Sequence, residues 1–167
     1  KQRIDHLKNF GFVDEVTVVA PGINGKMSEI NAAFGLLQLK HIDVALIRRR
    51  EIAETYRQAL AAVKGIRMLA DSSESVVNNA YFPILVESDY LLSRDALYQR
   101  LKDHGIHGRR YFYPLITEFP MYRGMPSAQH ENLPVATAVA QKVLCLPIYP
   151  ALTPHDLQRV INIVQGD

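Results

Sequence analysis

The sequence predicts a mixed α/β fold, in which a long helix leads into a small α+β domain of a few strands covered by helices. Apolar residues recur at helical spacing over one long stretch, and the C-terminal part alternates short strand-like and helix-like patterns. Gly, Ser and Thr stand where these patterns change, as is typical of helix ends. The 167 residues are 48% hydrophobic and 22% charged, which is typical of a globular protein.

The N-terminal segment combines a short amphipathic helix with an extended stretch. Ile4 and Leu7 lie three residues apart, and Gly11 is typical of a residue that ends a helix. The Val- and Thr-rich residues 12–20 then predict an extended chain that ends in a turn. Because the sequence starts inside a helical pattern at Lys1, without Met, we expect it to be part of a longer protein.

A long helix is predicted from about Ser28 to Lys64, with Gly65 as its C-terminal cap. Its apolar residues recur at helical spacing; they are Leu39, Ile42, Leu46, Ala53, Tyr56, Leu60 and Val63. Charges of both signs alternate over residues 48–54, which indicates a solvated helix face rather than a nucleic-acid patch.

Shorter elements alternate after residue 65. Ser93 and Thr153 are predicted N-caps, and Asp156 completes a variant of the capping box with Thr153. We expect helices over 93–105, 133–144 and 153–164, and extended segments over 79–88, 106–115 and 145–150.

Composition and charge weigh against several classes of function. The net charge of +2 does not indicate a nucleic-acid partner. Cys145 is the only cysteine and the histidines are scattered, so we predict neither a disulfide nor a metal site. No signal peptide and no apolar run of membrane-spanning length is apparent, and a cytoplasmic location is therefore expected.

The stretch "PGINGKMSEINAAFG" (21–35) has the glycines and lysine of a phosphate loop but not their spacing. Two residues separate Gly22 from Gly25 where a Walker A loop needs four, and Met27 replaces its Ser or Thr. A polar turn before a helix start remains. Its free N–H groups bind an anion, or Ser28 simply caps the helix, and the residues leave both alternatives open.

A second candidate site lies in "HGRRYFYPLITEFPMYRG" (107–124), which is rich in arginine and aromatic residues. Arg109 and Arg110 offer planar forks for phosphate, and Tyr111 and Tyr113 offer rings that stack on sugars or bases. The alternative is an aromatic-rich edge strand followed by a loop stiffened by proline.

Together these segments resemble the DegT/DnrJ/StrS family of sugar-nucleotide aminotransferases, which depend on pyridoxal phosphate (PLP). The resemblance rests on "GINGKMSEINAAFGLLQL", "IRRREIAETY", "GIHGRRYFYPL" and "VLCLPIYPALTPHDLQRVINIV", and it covers essentially the whole chain. It implies the C-terminal part of the aspartate-aminotransferase-like (fold type I) fold. Residues 1–27 would then be a remnant of the large PLP-binding domain, 28–64 the interdomain helix, and 65–167 the C-terminal small domain.

The resemblance also implies a reaction and a set of site residues. An amino group would pass from glutamate to a keto sugar of a deoxyhexose linked to thymidine diphosphate (dTDP), in polysaccharide biosynthesis. The lysine that binds PLP would lie in the preceding domain, so no catalytic residue is assigned here and this chain alone is expected to be inactive. Asn24 would contact the PLP phosphate across a homodimer interface, with Lys26 adding positive potential. Arg109, Arg110, Tyr111 and Tyr113 would line the nucleotide-sugar site.

Two departures leave alternatives open. Many family members have His directly after the Tyr-Tyr-Pro-Leu stretch, where this sequence has Ile116. One branch of the family replaces the PLP-binding lysine with His and acts as a sugar dehydratase. Besides an aminotransferase and a dehydratase, a non-catalytic module for substrate binding or dimerisation is the third alternative.

Overall fold

The computed structural model describes residues 1–70 and 77–166, which form two compact units, Lys1–Asp43 and Val44–Asp167. The first unit contains α1 (Gln2–Leu7) and α2 (Glu29–Leu39), and α3 (Ile42–Leu60) begins at the boundary. The second unit continues with β1 (Ile66–Met68), β2 (Phe82–Val86), α4 (Arg94–Asp103), α5 (Pro134–Ala140), β3 (Val143–Leu146) and α6 (Pro154–Gln165). Three short 3₁₀ turns lie between α4 and α5, at Ile116–Glu118, Pro126–Ala128 and His130–Asn132.

The second unit is built on a three-stranded antiparallel sheet of order β1-β2-β3. Ile66 pairs with Val86, and Phe82 pairs with Leu146. Apolar side chains of α3, α4 and α6 pack with the strands in one core that contains Tyr56, Leu97 and Val160. A small sheet covered by helices is therefore confirmed.

Local signals identified the starts of α4 and α6 correctly. The Ser93 hydroxyl accepts a hydrogen bond from the Ala96 amide at 3.2 Å and caps α4. At the start of α6, the Thr153 hydroxyl accepts from the Asp156 amide at 3.1 Å. The same hydroxyl donates to the Asp156 carboxylate at 2.8 Å, which completes the predicted capping-box variant.

The single long helix predicted over 28–64 is wrong. The helical segment is interrupted between Leu39 and Ile42, and α3 ends at Leu60. The amides of Lys40 and His41 bond to carbonyls three residues back, at 3.2 and 3.0 Å, so the α-helical ladder ends there in a tighter turn. Gly65 lies beyond α3 at φ +78°, where a Cβ atom would lie 2.2 Å from the Tyr90 amide nitrogen.

Among the described residues no single helix is long and apolar enough to cross a membrane. The consecutive helices α2 and α3 meet that length and composition only as a bent pair.

Candidate functional site

The candidate site is organised by residues 107–111, which run beside β3. The Arg109 amide donates to the Cys145 carbonyl at 3.0 Å, and the Cys145 amide donates back to the Arg109 carbonyl at 2.7 Å. Within the part of the chain that the structure describes, this bridge is the only strand-type pairing of the extended segment predicted over 106–115. Successive side chains of an extended chain alternate in direction, so Arg109 and Arg110 leave the backbone on opposite sides.

A cavity of about 330 Å³ opens on the Arg109 side of this segment. We call it the arginine cavity. His107, Arg109 and Tyr111 line it with Tyr81 and with Arg49 of α3, and residues 145–149 close it. The alternating numbers 107, 109 and 111 are those expected for one face of an extended segment.

Two tyrosine side chains and Arg109 contact one another inside this cavity. The Arg109 guanidinium donates to the Tyr111 hydroxyl at 3.4 Å. The Tyr81 and Tyr111 rings meet edge to face with centroids 5.0 Å apart. The hydrogen bond with Tyr111 raises the pKa of Tyr81.

A second cavity, of about 590 Å³, is lined by all four residues predicted to bind the nucleotide sugar: Arg109, Arg110, Tyr111 and Tyr113. We call it the aromatic cavity, because Tyr98, Phe112 and Phe119 also line it. His107, Arg109 and Tyr111 belong to both cavities. The two cavities therefore share a wall formed by these three residues.

Arg110 is held by partners within the protein. Its Nη1 lies 2.9 Å from Asp95 Oδ1, and its guanidinium lies 4.5 Å from the centre of the Tyr98 ring. Partial burial opposes ionisation of Asp95, but hydrogen bonds from Arg110 and Arg94 hold the pKa of this carboxyl below its ordinary value. Arg110 therefore lines the aromatic cavity as a member of an ion-pair cluster.

Tyr113 is fixed in the same cluster. Two guanidinium groups contact its ring, with Arg94 at 4.6 Å and Arg110 at 5.4 Å from the ring centre. Arg94 is only 4% exposed, and its Nη1 donates to the Ala140 carbonyl at 2.9 Å. These cation–π contacts orient the Tyr113 ring on the cavity wall.

Asn24 and Lys26 lie in the first unit, where backbone bonds fix residues 23–25 against the end of α1. Asn24 pairs with Asn9 in an antiparallel bridge, and the Gly25 amide donates to the Lys8 carbonyl at 2.8 Å. Asn24 is exposed, so its side chain stands on an anchored, accessible turn. Lys26 Nζ donates to Asn9 Oδ1 at 3.2 Å.

The helix that follows this turn is capped by its own sequence. The Ser28 hydroxyl accepts from the Asn31 amide at 3.3 Å. Capping by Ser28, one of the two alternatives for this stretch, is therefore present in the structure.

Metal and cysteine chemistry find no support in the described part of the chain. No three His, Cys, Asp or Glu side chains there form a group that could hold a metal ion. Burial raises the pKa of the Cys145 thiol, which is the behaviour of an unreactive packing cysteine. Neither the arginine cavity nor the aromatic cavity has a lysine among its lining residues.

Arg49 is a site residue that was not predicted, because the charges of both signs over residues 48–54 indicated a solvated helix face. Within these residues Arg50 is exposed, but Arg49 lines the arginine cavity. The signal was available: Arg49 precedes the buried residues Ile52, Tyr56 and Leu60 by 3, 7 and 11 positions, which places it on the same face of α3.

Comparison with known proteins identifies relatives over nearly the whole chain. The model of the DegT/DnrJ/EryC1/StrS aminotransferase family matches residues 1–165. A dTDP-4-amino-4,6-dideoxy-D-glucose transaminase of Escherichia coli is 51% identical over 166 residues, which are 99% of this chain and 45% of that protein. A protein of the same name from Shigella dysenteriae is 45% identical over 165 residues, covering 99% and 44%.

Solved structures show the same likeness. DesI, crystallised in the presence of its TDP-sugar product, is 34% identical with a TM-score of 0.82, over 98% of this chain and 41% of that one. DesV of S. venezuelae is 28% identical with a TM-score of 0.85, over 98% and 42%. The chain thus spans less than half the length of these relatives and matches their C-terminal part.

Proposed function

This chain belongs to the DegT/DnrJ/EryC1/StrS aminotransferase family, and we propose that it is the C-terminal part of a PLP-dependent sugar-nucleotide transaminase. The amino group passes from glutamate to the keto sugar of a dTDP-linked deoxyhexose. The names of the Escherichia coli and Shigella dysenteriae relatives and the TDP-sugar product of DesI support this substrate class. The observation that carries the proposal is the aromatic cavity, where arginine and tyrosine side chains converge.

The residues of this cavity suit a nucleotide sugar. The planar guanidinium of Arg109 is a donor fork for a phosphate group. Tyr111 and Tyr113 present rings to the sugar or the base, and each carries a hydroxyl for hydrogen bonding. Arg110 acts mainly through Tyr113, because its own charge is paired with Asp95.

For PLP, the chain supplies one fitting residue in the first unit. The side-chain amide of Asn24 is exposed on an anchored turn and makes no hydrogen bond to the other described residues, so it is free to donate to a phosphate oxygen. Lys26 adds positive charge two residues later. When bound, PLP would carry the amino group between the two substrates and would act as an electron sink. In this proposal the lysine that binds PLP lies outside residues 1–167.

The first unit supports the proposal of a homodimer. Helix α2 has no buried residue although it is rich in apolar side chains, with Ile30 81% and Phe34 61% exposed. Val16 and Ile23, in the same unit, are 83% and 71% exposed. An exposed apolar helix face such as that of Ile30 and Phe34 is typical of protein interfaces. The proposed occupant is a second copy of the protein, which would bring Asn24 to the partner's PLP. The proposed location is the cytoplasm.

The test is an assay of the full-length protein with PLP, glutamate and dTDP-4-keto-6-deoxyglucose. We expect one equivalent each of 2-oxoglutarate and amino sugar nucleotide, measured by mass spectrometry. A deoxygenated sugar formed without amination would identify the dehydratase alternative. The absence of any conversion of the sugar would favour a non-catalytic module. Residues 1–167 alone, with added PLP, are expected to give no amino transfer. Detectable transfer would contradict the proposal that the PLP-binding lysine lies outside these residues.

A further inference from the structure

The arginine cavity brings together two guanidinium groups that have no acidic partner among the described residues. Arg49 and Arg109 both line it, and none of its lining residues is Asp or Glu. Elsewhere in this unit comparable arginines are paired: Arg48 with Glu51 at 2.8 Å, and Arg159 with Asp156 at 3.0 Å. Two like charges in one cavity repel each other unless an anion neutralises them.

Arg49 is also incompletely hydrogen-bonded. Its Nε is buried from solvent and has no hydrogen-bond partner among the described residues. Buried donors are nearly always paired in native proteins, and an unpaired one calls for an explanation such as a missing ligand. Among the described residues, the Arg109 guanidinium has only the Tyr111 hydroxyl, at 3.4 Å, as a side-chain hydrogen-bond partner.

The other lining residues complete the environment of an anion site. The hydroxyl of Tyr149 and the imidazole of His107 can donate hydrogen bonds, while Leu146 and Ile148 supply apolar walls. Apolar walls strengthen the interaction of the guanidinium groups with a negative charge. A volume of about 330 Å³ is at the lower end of the range for small-molecule sites.

We propose that the arginine cavity is an oxyanion subsite, in which Arg49 and Arg109 together bind a carboxylate or phosphate group of a substrate. The assignment of that group to a substrate rests on the proposed function, since both substrates of the transaminase carry such groups. The amino donor brings carboxylates and the sugar nucleotide brings phosphates. Arg49 thereby becomes a binding residue contributed by α3 rather than by the 107–113 segment.

The experiment measures binding of three probes to the full-length protein by calorimetry: glutarate, inorganic phosphate and dTDP. Glutarate is a dicarboxylate without an amino group, so it reports binding without turnover. The variants are Arg49→Ala, Arg49→Lys and the matched control Arg50→Ala, which removes the same charge from an exposed position one residue away. The melting temperature of each variant verifies that it is folded.

We expect Arg49→Ala to weaken at least one probe tenfold or more, Arg49→Lys to weaken it less, and Arg50→Ala to change it less than twofold. Loss confined to glutarate assigns the subsite to the donor's carboxylate, and loss of phosphate and dTDP assigns it to the nucleotide. Equal affinities in wild type, Arg49→Ala and Arg50→Ala would overturn the proposal, as would the absence of binding by all three probes to folded wild type. If Arg49→Ala does not fold, Arg49→Lys decides by the same comparison.

The proposed function is tested separately, by sugar amination in the wild-type protein. A wild type that does not aminate the sugar, combined with Arg49-dependent anion binding, would refute the proposed function and leave the subsite standing. Normal amination with binding that ignores Arg49 would refute the subsite alone.

Discussion

The Arg110 guanidinium lies 2.9 Å from the Asp95 carboxylate, whereas the side chain of the adjacent Arg109 donates to the Tyr111 hydroxyl at 3.4 Å. The two arginines are consecutive but serve different neighbours, because an extended backbone turns alternate side chains to opposite sides. Arg110 stabilises the wall of the aromatic cavity, and Arg109 remains available to a ligand from both cavities.

Alanine substitutions should separate these two roles. Arg109→Ala should raise KM for the nucleotide sugar by about 10- to 150-fold, which corresponds to about 1.5–3 kcal/mol for a charge-assisted contact. Arg110→Ala should mainly lower the free energy of unfolding, by about 1 kcal/mol, since it removes a partly exposed ion pair and two ring contacts. Steady-state kinetics and thermal melts of both variants provide the measurement. The distinction fails if both variants raise KM equally and keep the wild-type melting temperature.

Tyr56 should be a main anchor of α3 in the second unit. Its side chain is fully buried, its hydroxyl donates to the Pro147 carbonyl at 2.9 Å, and its ring lies 4.9 Å from that of Phe82. Tyr56→Phe keeps the ring but leaves that carbonyl without its partner, so we expect a loss of about 1–3 kcal/mol in the free energy of unfolding. Urea denaturation measures it, with the exposed Tyr122→Phe as the matched control. Equal midpoints for the two variants would contradict this role.

The parts of the fold that local chemistry determines were predictable. Helices α4 and α6 have hydroxyl caps at Ser93 and Thr153, and those caps form in the structure. The interruption after Leu39 was not predictable from such signals. Neither Lys40 nor His41 is a Gly or a Pro, and the apolar spacing continues across them. The interruption is therefore visible only in the backbone hydrogen bonds of the structure.

The candidate site was predictable to the extent that it is local in sequence. Arg109, Arg110, Tyr111 and Tyr113 line one cavity because they are nearly consecutive on one extended segment. Arg49 comes from α3, far away in the sequence, and pairing of 107–111 with β3 is needed to complete the cavity that it lines. The sequence shows by its spacing that Arg49 lies on the buried face of α3. It does not show the long-range contacts that place a cavity beside that face.

Acid should weaken the second unit through Glu87. This carboxylate accepts from Lys142 at 2.6 Å and from Arg67 at 3.0 Å, and these hydrogen bonds lower its pKa below the ordinary value. A carboxyl whose pKa is lowered by folding stabilises the protein above its unfolded-state pKa, and this stability is lost as the pH falls through the folded-state pKa.

Glu87→Gln should therefore destabilise the protein by about 1 kcal/mol near neutral pH, and the difference from wild type should shrink as the pH falls into the carboxyl range. Melting temperatures measured across that range provide the test. Glu54→Gln, at an exposed position of α3, is the control. A difference that stays constant down to low pH would show that ionisation of Glu87 is not the cause.

The last prediction concerns Asn24, whose amide should hold the PLP phosphate of the partner subunit. Asn24→Ala in the full-length enzyme should weaken PLP retention by about 1 kcal/mol, the scale of one hydrogen bond, and this is measured by dialysis followed by quantification of bound PLP. Lys26→Ala is a useful comparison, because Lys26 Nζ already bonds to Asn9 and should matter less.

A mixed dimer then determines whether Asn24 acts within its own subunit or across the interface. One subunit carries Asn24→Ala and the other lacks the PLP-binding lysine. If Asn24 acts across the interface, one site has both lesions and the other has neither, so the mixed dimer retains intact PLP affinity in one site and about half the wild-type activity. If it acts within its own subunit, the only site with the lysine also has the Asn24 lesion. Assayed after dialysis without added PLP, such a dimer would show half the activity of the Asn24→Ala homodimer, and the proposed exchange across the interface would be wrong.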